Sequence, residues 1–205
     1  MKGSIIMAKI AVILGSVRQH GVGINLFNYL KNQKSDIETS LNVELTFLNL
    51  GQYNLPVFDE DVPPMANQNR QLPANQQQWL DDIQDADGYI LMSPEYNHSL
   101  PGGLKNALDY LAFQAQGKPV KTLGYSDNSR GGQFGVAALI PVLQRLEMIV
   151  LPKPALIGNI PAILDAKGTI IDDQASTKLH SGVVKMFKEI SFYTTLLTAN
   201  PFPRN

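Results

Sequence analysis

A chain of 205 residues is long enough for one domain with a sizeable core, and its formal net charge of −1 argues against nucleic-acid or anionic-membrane partners, which need a basic surface. The absence of cysteine excludes disulfides, thiolate metal sites and a cysteine nucleophile. Only 17% of the residues are charged, so much surface is uncharged, and burial in an oligomer is one explanation.

Residues 1–7 lack the long apolar stretch and small-residue cleavage pattern of a secretory leader and read as an N-terminal extension. The apolar run 8–14 is too short to span a bilayer, and a cytoplasmic protein is expected. Residues 9–14 read as a first strand ended by Gly15. Residues 24–37 read as a helix, with Ile24, Phe27 and Leu30 on one face. Residues 43–48 alternate apolar and polar, as a half-exposed edge strand does. A Pro- and Asn-rich connection, 49–73, carries the acidic run Asp59, Glu60 and Asp61, expected to be solvated or to cap an interface.

A helix over 74–86 presents Trp79, Leu80 and Ile83, and the apolar run 88–92 reads as a buried strand. The loop Ser93-Pro94-Glu95-Tyr96-Asn97-His98-Ser99-Leu100 leads into a helix from Pro101 to about Phe113. Residues 120–125 form the next strand, followed by the polar loop 126–132. The helix 133–147 is apolar almost all round, so one side can meet the sheet and the other a second subunit, with Pro141 expected to kink it. Residues 148–151 are expected as the fifth strand. Leu179, Val183, Met186, Phe187 and Ile190 mark a last amphipathic helix, and 196–205 read as a tail of the single domain 1–205. Strands alternating with helices imply an α/β fold, a parallel sheet with helices on both faces.

Three polar loops therefore lie at the C-terminal ends of three strands, where open α/β sheets bind ligands. In the first, glycines let backbone N–H groups curl around an anion, Ser16 supplies a hydroxyl, Arg18 a bidentate cation, and a helix N-terminus follows. The second offers an aromatic ring, a carboxylate and a carboxamide in Glu95-Tyr96-Asn97, a set that can stack on a flat ring and bond its edge. The third, with Gly131 and Gly132, permits close backbone approach. A phosphate loop, a stacking loop and a glycine loop describe a mononucleotide site. Gly21-Val22-Gly23-Ile24-Asn25-Leu26 lacks the third glycine of the dinucleotide fingerprint, and no Gly-Lys-Ser/Thr of a nucleoside-triphosphatase loop is present. His20, His98 and His180 are too scattered for a metal site, and Ser16 lacks the hydrolase nucleophile context.

These residues resemble the NAD(P)H-dependent FMN reductases of the flavodoxin-like fold, which include quinone, azo-dye and chromate reductases. The resemblance rests on Gly15-Ser16-Val17-Arg18, on Pro94-Glu95-Tyr96-Asn97 with Ser99 and the run 104–109, and on Gly131-Gly132, and it covers about residues 8–195. It implies a three-layer sandwich around a five-stranded parallel sheet of order 2-1-3-4-5. It implies FMN, with its phosphate at Ser16 and Arg18, joined by Gly23 and Asn25. The ring would lie at Pro94, Glu95, Tyr96 and Asn97 and at Ser126, Asp127, Gly131 and Gly132. It further implies homodimers or homotetramers with the flavin near the interface.

The implied reaction takes hydride from NADPH or NADH and passes it, by ping-pong transfer over one ring face, to a small acceptor: a quinone, azo dye, nitroaromatic, metal oxyanion or free flavin. No residue need act as acid or base, since the hard chemistry belongs to the cofactor. Glu95 is then expected to fix its loop or cross the interface rather than to donate a proton. The rival readings are a flavodoxin-type electron carrier and a flavin-free relative.

Overall fold

The computed structural model describes residues 7–67 and 69–202; the rest of the expected N-terminal extension, 1–6, and the end of the expected tail, 203–205, lie outside the described residues. Strand β1 (Ala8–Leu14) is buried on both faces, with Ile10, Val12 and Leu14 turned to one side and Ala11 and Ile13 to the other. It pairs in parallel with β2 (Val43–Asn49) and with β3 (Gly88–Ser93), and β3 pairs in parallel with β4 (Pro119–Tyr125). The path is β2-β1-β3-β4-β5, the flavodoxin-like order implied by the resemblance.

The fifth strand departs from expectation. It is split into β5 (Ile149–Val150), beside the start of β4, and β6 (Ala155–Ile157), beside its end. Pro152 and Pro154 have no N–H for the ladder, and Lys153 between them has φ 56°. Lys121, buried in β4, fills the gap. Its ammonium donates to the Pro152 carbonyl at 2.8 Å and to Glu189 Oε2 at 2.6 Å.

One face of the sheet is covered by α1 (Gly23–Asn32), α2 (Lys34–Leu41) and α7 (Asp173–Ala199), through residues such as Leu26, Ile37, Val183 and Phe187. The other is covered by α3 (Ala74–Asp85), α4 (Gly102–Asp109) and α5 (Gln133–Arg145), through Trp79, Leu108 and Leu139. A short helix, α6 (Ile160–Ile163), follows β6. Each fully buried Leu or Ile contributes roughly 1.5–3 kcal/mol, so α7, with Leu179, Val183, Met186, Phe187 and Ile190 all buried, is a major clamp on the sheet. Asp172 caps its N-terminus by accepting from the N–H groups of Gln174 and Ala175. It runs on to Ala199, into the stretch expected as a tail.

The helix expected over 24–37 is two helices that meet at Gln33 (φ −89°, ψ 0°), where no Gly or Pro announces a break. The helix after Pro101 stops at Asp109, short of Phe113. Side chains divert the backbone bonds that would prolong it. Gln114 Oε1 takes the Ala112 N–H at 2.7 Å, and the Arg70 guanidinium donates to the Tyr110 carbonyl. Helix α5 runs on through Pro141. It is not buried all round in the single chain: Val136, Leu139 and Leu143 face the sheet, while Ala137 and Pro141 are exposed and Phe134 is 39% exposed. Among the described residues no helix is long and apolar enough to cross a membrane.

Candidate functional site

The loops after β1, β3 and β4 meet at the C-terminal edge of the sheet, and side chains tie them together. Tyr96 spans the first two: its Oη lies 3.3 Å from Ser16 Oγ, which also accepts the Arg18 N–H at 3.3 Å. Glu95 joins the second to the third by accepting the Phe134 N–H at 2.9 Å on Oε2. That N–H belongs to the first turn of α5, where it has no partner within the helix. The carboxylate therefore caps α5 across the crevice, with the helix dipole in its favour. A Cβ at Gly135 would stand 2.5 Å from the Pro94 carbonyl oxygen, so only glycine lets α5 come this close to the second loop.

The tip of the second loop is a two-residue turn. Tyr96 and Ser99 exchange both backbone bonds, at 2.9 and 3.0 Å, and Asn97 (φ 50°) and His98 (φ 61°) are both left-handed. Asn97 is exposed at this tip. The His98 ring stacks on Phe134, with centroids 4.6 Å apart and 7° between planes, and its Nε2 lies 4.0 Å from Glu95 Oε1.

The third loop is shaped by Ser126. Its hydroxyl donates to the Asn128 carbonyl at 2.7 Å and accepts the Gly131 N–H at 2.9 Å. Gly131 and Gly132 have φ of 63° and 70°, a region that favours glycine. A Cβ on Gly132 would meet the carbonyls of Tyr125 and Ser93 at 2.9 and 3.2 Å. Asp127 is exposed beside them.

At the first loop, α1 begins without a side-chain cap and without an acidic residue in its first turn. Such an end is a ready seat for an anion. Arg18 is exposed, and its guanidinium has no hydrogen-bond or ion-pair partner among the described residues. Gly23 is packed from below: a Cβ there would lie 2.3 Å from Tyr125 Oη. Asn25, expected at the phosphate, donates from Nδ2 to the Leu164 carbonyl at 3.0 Å and is held by the loop after α6.

Sequence reasoning missed two residues here. Tyr125 reaches beneath α1 from the end of β4, and its hydroxyl is buried with no hydrogen-bond partner. An orphaned buried hydroxyl at an uncapped helix N-terminus, with a free cation beside it, fits an anionic ligand such as the phosphate of FMN. Asn106 grips the connection after β2 with both ends of its carboxamide. Oδ1 accepts the Phe58 N–H at 2.8 Å, and Nδ2 donates to the Pro56 carbonyl at 2.7 Å. Glu60 of the acidic run pairs with the buried Arg70 at 2.7 Å, so this connection is fastened rather than solvated there. Between it and α4 lies a cleft of about 700 Å³, lined by Val17, Leu55, Val57, Phe58, Gly103 and Lys105 among others. It opens beside the three-loop crevice, with Val17 of the first loop in its wall.

The sequence profile described as NADPH-dependent FMN reductase matches residues 8–161, which take in all three loops. The chain belongs to this family. The enzyme class and the FMN and NAD(P)H expected from the motifs are those of the family. A relative, the NAD(P)H-dependent FMN reductase ntnL of a Nectria species, is 37% identical over 155 residues, 73% of this chain and 72% of that one. A quinone reductase of Escherichia coli strain K12 is 35% identical over 111 residues, spanning 52% of this chain and 57% of its own. Among solved structures, the flavoenzyme NAD(P)H:(acceptor) oxidoreductase FerB of Paracoccus denitrificans superposes with a TM-score of 0.69 at 24% identity. That match covers 91% of this chain and 98% of FerB, and it supports the fold alone.

Proposed function

We propose that this FMN reductase passes reducing equivalents from NADPH or NADH to a small acceptor of the kinds implied by the resemblance: a quinone, azo dye, nitroaromatic, metal oxyanion or free flavin. The observation that carries the reading is the joining of the three loops, through Ser16–Tyr96 and Glu95–Phe134, into one rim beside an uncapped helix end. When bound, FMN supplies the capacity to take a hydride from the nicotinamide and give it up to an acceptor. Arg18, Ser16 and the first N–H groups of α1 hold its phosphate. Pro94 to Asn97 and Ser126, Asp127, Gly131 and Gly132 line its ring. Gly23 makes room for Tyr125, and Asn25 is scaffold.

Glu95 positions this rim and moves no proton. Donor and acceptor use one opening in turn, which gives ping-pong kinetics. The exposed apolar face of α5 seats a second subunit of a homodimer or homotetramer near that opening. The reading places the enzyme in the cytoplasm.

The test is a visible spectrum of the purified protein, then NADPH oxidation with benzoquinone as acceptor. Yellow protein with parallel double-reciprocal lines is expected. Bound FMN without turnover would mean an electron carrier, and protein that stays colourless after FMN is added would mean a flavin-free relative.

A further inference from the structure

Among the described residues, two buried side-chain polar atoms lack a hydrogen-bond partner: Tyr125 Oη and Ser191 Oγ. Ser191 lies on α7 close to Thr194, whose side chain packs on Gly88 at the start of β3, the opposite end of the sheet from the loops. Tyr125 is different. It is the last residue of β4 and only 2% exposed, and its hydroxyl ends under Gly23, the first residue of α1.

A buried hydroxyl without a partner costs about 1–3 kcal/mol, and native proteins seldom leave one so. Around it lie the Ser16 and Tyr96 hydroxyls, which can donate or accept, and the Arg18 cation, which only donates. Arg18 acts on Tyr125 through its charge and the Ser16 hydroxyl as a weak hydrogen-bond neighbour, yet no hydrogen bond of full geometry satisfies the phenol. The α1 end above it has no side-chain cap, although the Ile24 N–H already donates to the Gly21 carbonyl at 3.0 Å. Burial, and the Tyr96 hydroxyl nearby, push the phenol above its ordinary pKa, so it keeps its proton. The site thus gathers a cation, a helix N-terminus and hydroxyls able to donate around one gap, and an acceptor with several lone pairs would complete it.

We propose that the Tyr125 hydroxyl donates a hydrogen bond to the phosphate of the bound mononucleotide, alongside Ser16 and the first N–H groups of α1. The inference rests on the FMN reading above and adds a residue to it. Gly23 then serves this contact indirectly: without a side chain it leaves the phenol its place beneath the helix end.

The experiment uses apoprotein titrated with FMN and with riboflavin, which lacks the phosphate, followed by fluorescence quenching. Tyr125→Phe keeps the ring and removes only the hydroxyl. It is expected to raise the FMN dissociation constant about tenfold, the effect of losing one hydrogen bond to a charged group. Riboflavin binding should move less than twofold, and the apoprotein should melt no lower, since the variant deletes an unsatisfied group. An unchanged FMN constant, as expected if the hydroxyl merely bonds a buried water, overturns the inference, and so does an equal weakening of both ligands. Wild-type protein that binds riboflavin as tightly as FMN, or neither, overturns the mononucleotide reading as well. Wild-type protein that prefers FMN, with a Tyr125→Phe variant that keeps the whole preference, overturns the role of Tyr125 alone.

Discussion

Glu95 shows how a residue with an obvious chemical temptation can be structural. Its carboxylate stands beside the crevice, but one oxygen is taken by the Phe134 N–H at 2.9 Å. Removing a side-chain cap costs about 1 kcal/mol, and in a chain of this size that lowers the melting temperature by about 2–4 °C. Glu95→Ala should show that loss in a thermal melt. Glu95→Gln keeps an acceptor oxygen, so it should melt nearer the parent and turn over NADPH within about threefold of it. A hundredfold fall in turnover with a displaced pH profile, the size expected of a lost general acid, would show that the carboxylate does move a proton. The sequence left two tasks open for this carboxylate, fixing its loop or crossing a subunit interface, and did not show that its partner would be the Phe134 N–H. Asn106 was not legible: nothing in the spacing of 104–109 says that its carboxamide reaches back to Pro56 and Phe58, whose sequence separation is large.

At the scale of elements, strands were easier to read than the places where they break. Continuous apolar runs marked β1 and β3, and their burial follows from helices lying on both faces. The split of the fifth strand was hidden, although Pro152 and Pro154 stand in plain view, because β6 resumes pairing only after the gap. What fills the gap is a lysine from inside β4, a residue type rarely buried unless paired. Lys121→Met should therefore cost about 2 kcal/mol, because it strands Glu189 and the Pro152 carbonyl together. Glu189→Gln should cost less, since the amide oxygen still accepts from the ammonium. Denaturant midpoints compare the two, and a Lys121→Met midpoint equal to the parent would mean that the β5–β6 gap holds itself. The bend at Gln33 and the early end of α4 had no Gly or Pro signal; at the second, a local side-chain bond from Gln114 acts with a long-range one from Arg70, and the long-range bond has no local signature.

For the whole molecule, both faces of the sheet carry tyrosines whose pKa values burial pushes up: the half-buried Tyr53 and the buried Tyr89 on one side, the buried Tyr125 on the other. Unfolded tyrosines release their protons near pH 10, whereas the folded chain keeps them. The folded state then binds more protons than the unfolded, so stability is intact below about pH 10 and falls as pH rises past it. Denaturant midpoints at pH 8 and pH 11 check this; an equal or higher midpoint at pH 11 contradicts it. The same whole-molecule view bears on the outer face of α5. Ala137 and Pro141 are exposed and Phe134 lies on the crevice rim, while Val57, 83% exposed, borders the neighbouring cleft. An exposed apolar face on α5 is what the homodimer or homotetramer proposed above would cover, and covering it would also shield the opening from water. Light scattering should give a mass at least twice that of one chain. Ala137→Glu places a charge on this face without touching the three loops, so it should shift the protein toward monomers of unchanged circular dichroism and weaken FMN binding in step. A wild-type protein that is monomeric at micromolar concentration would leave that face to solvent and make each crevice complete within its own chain.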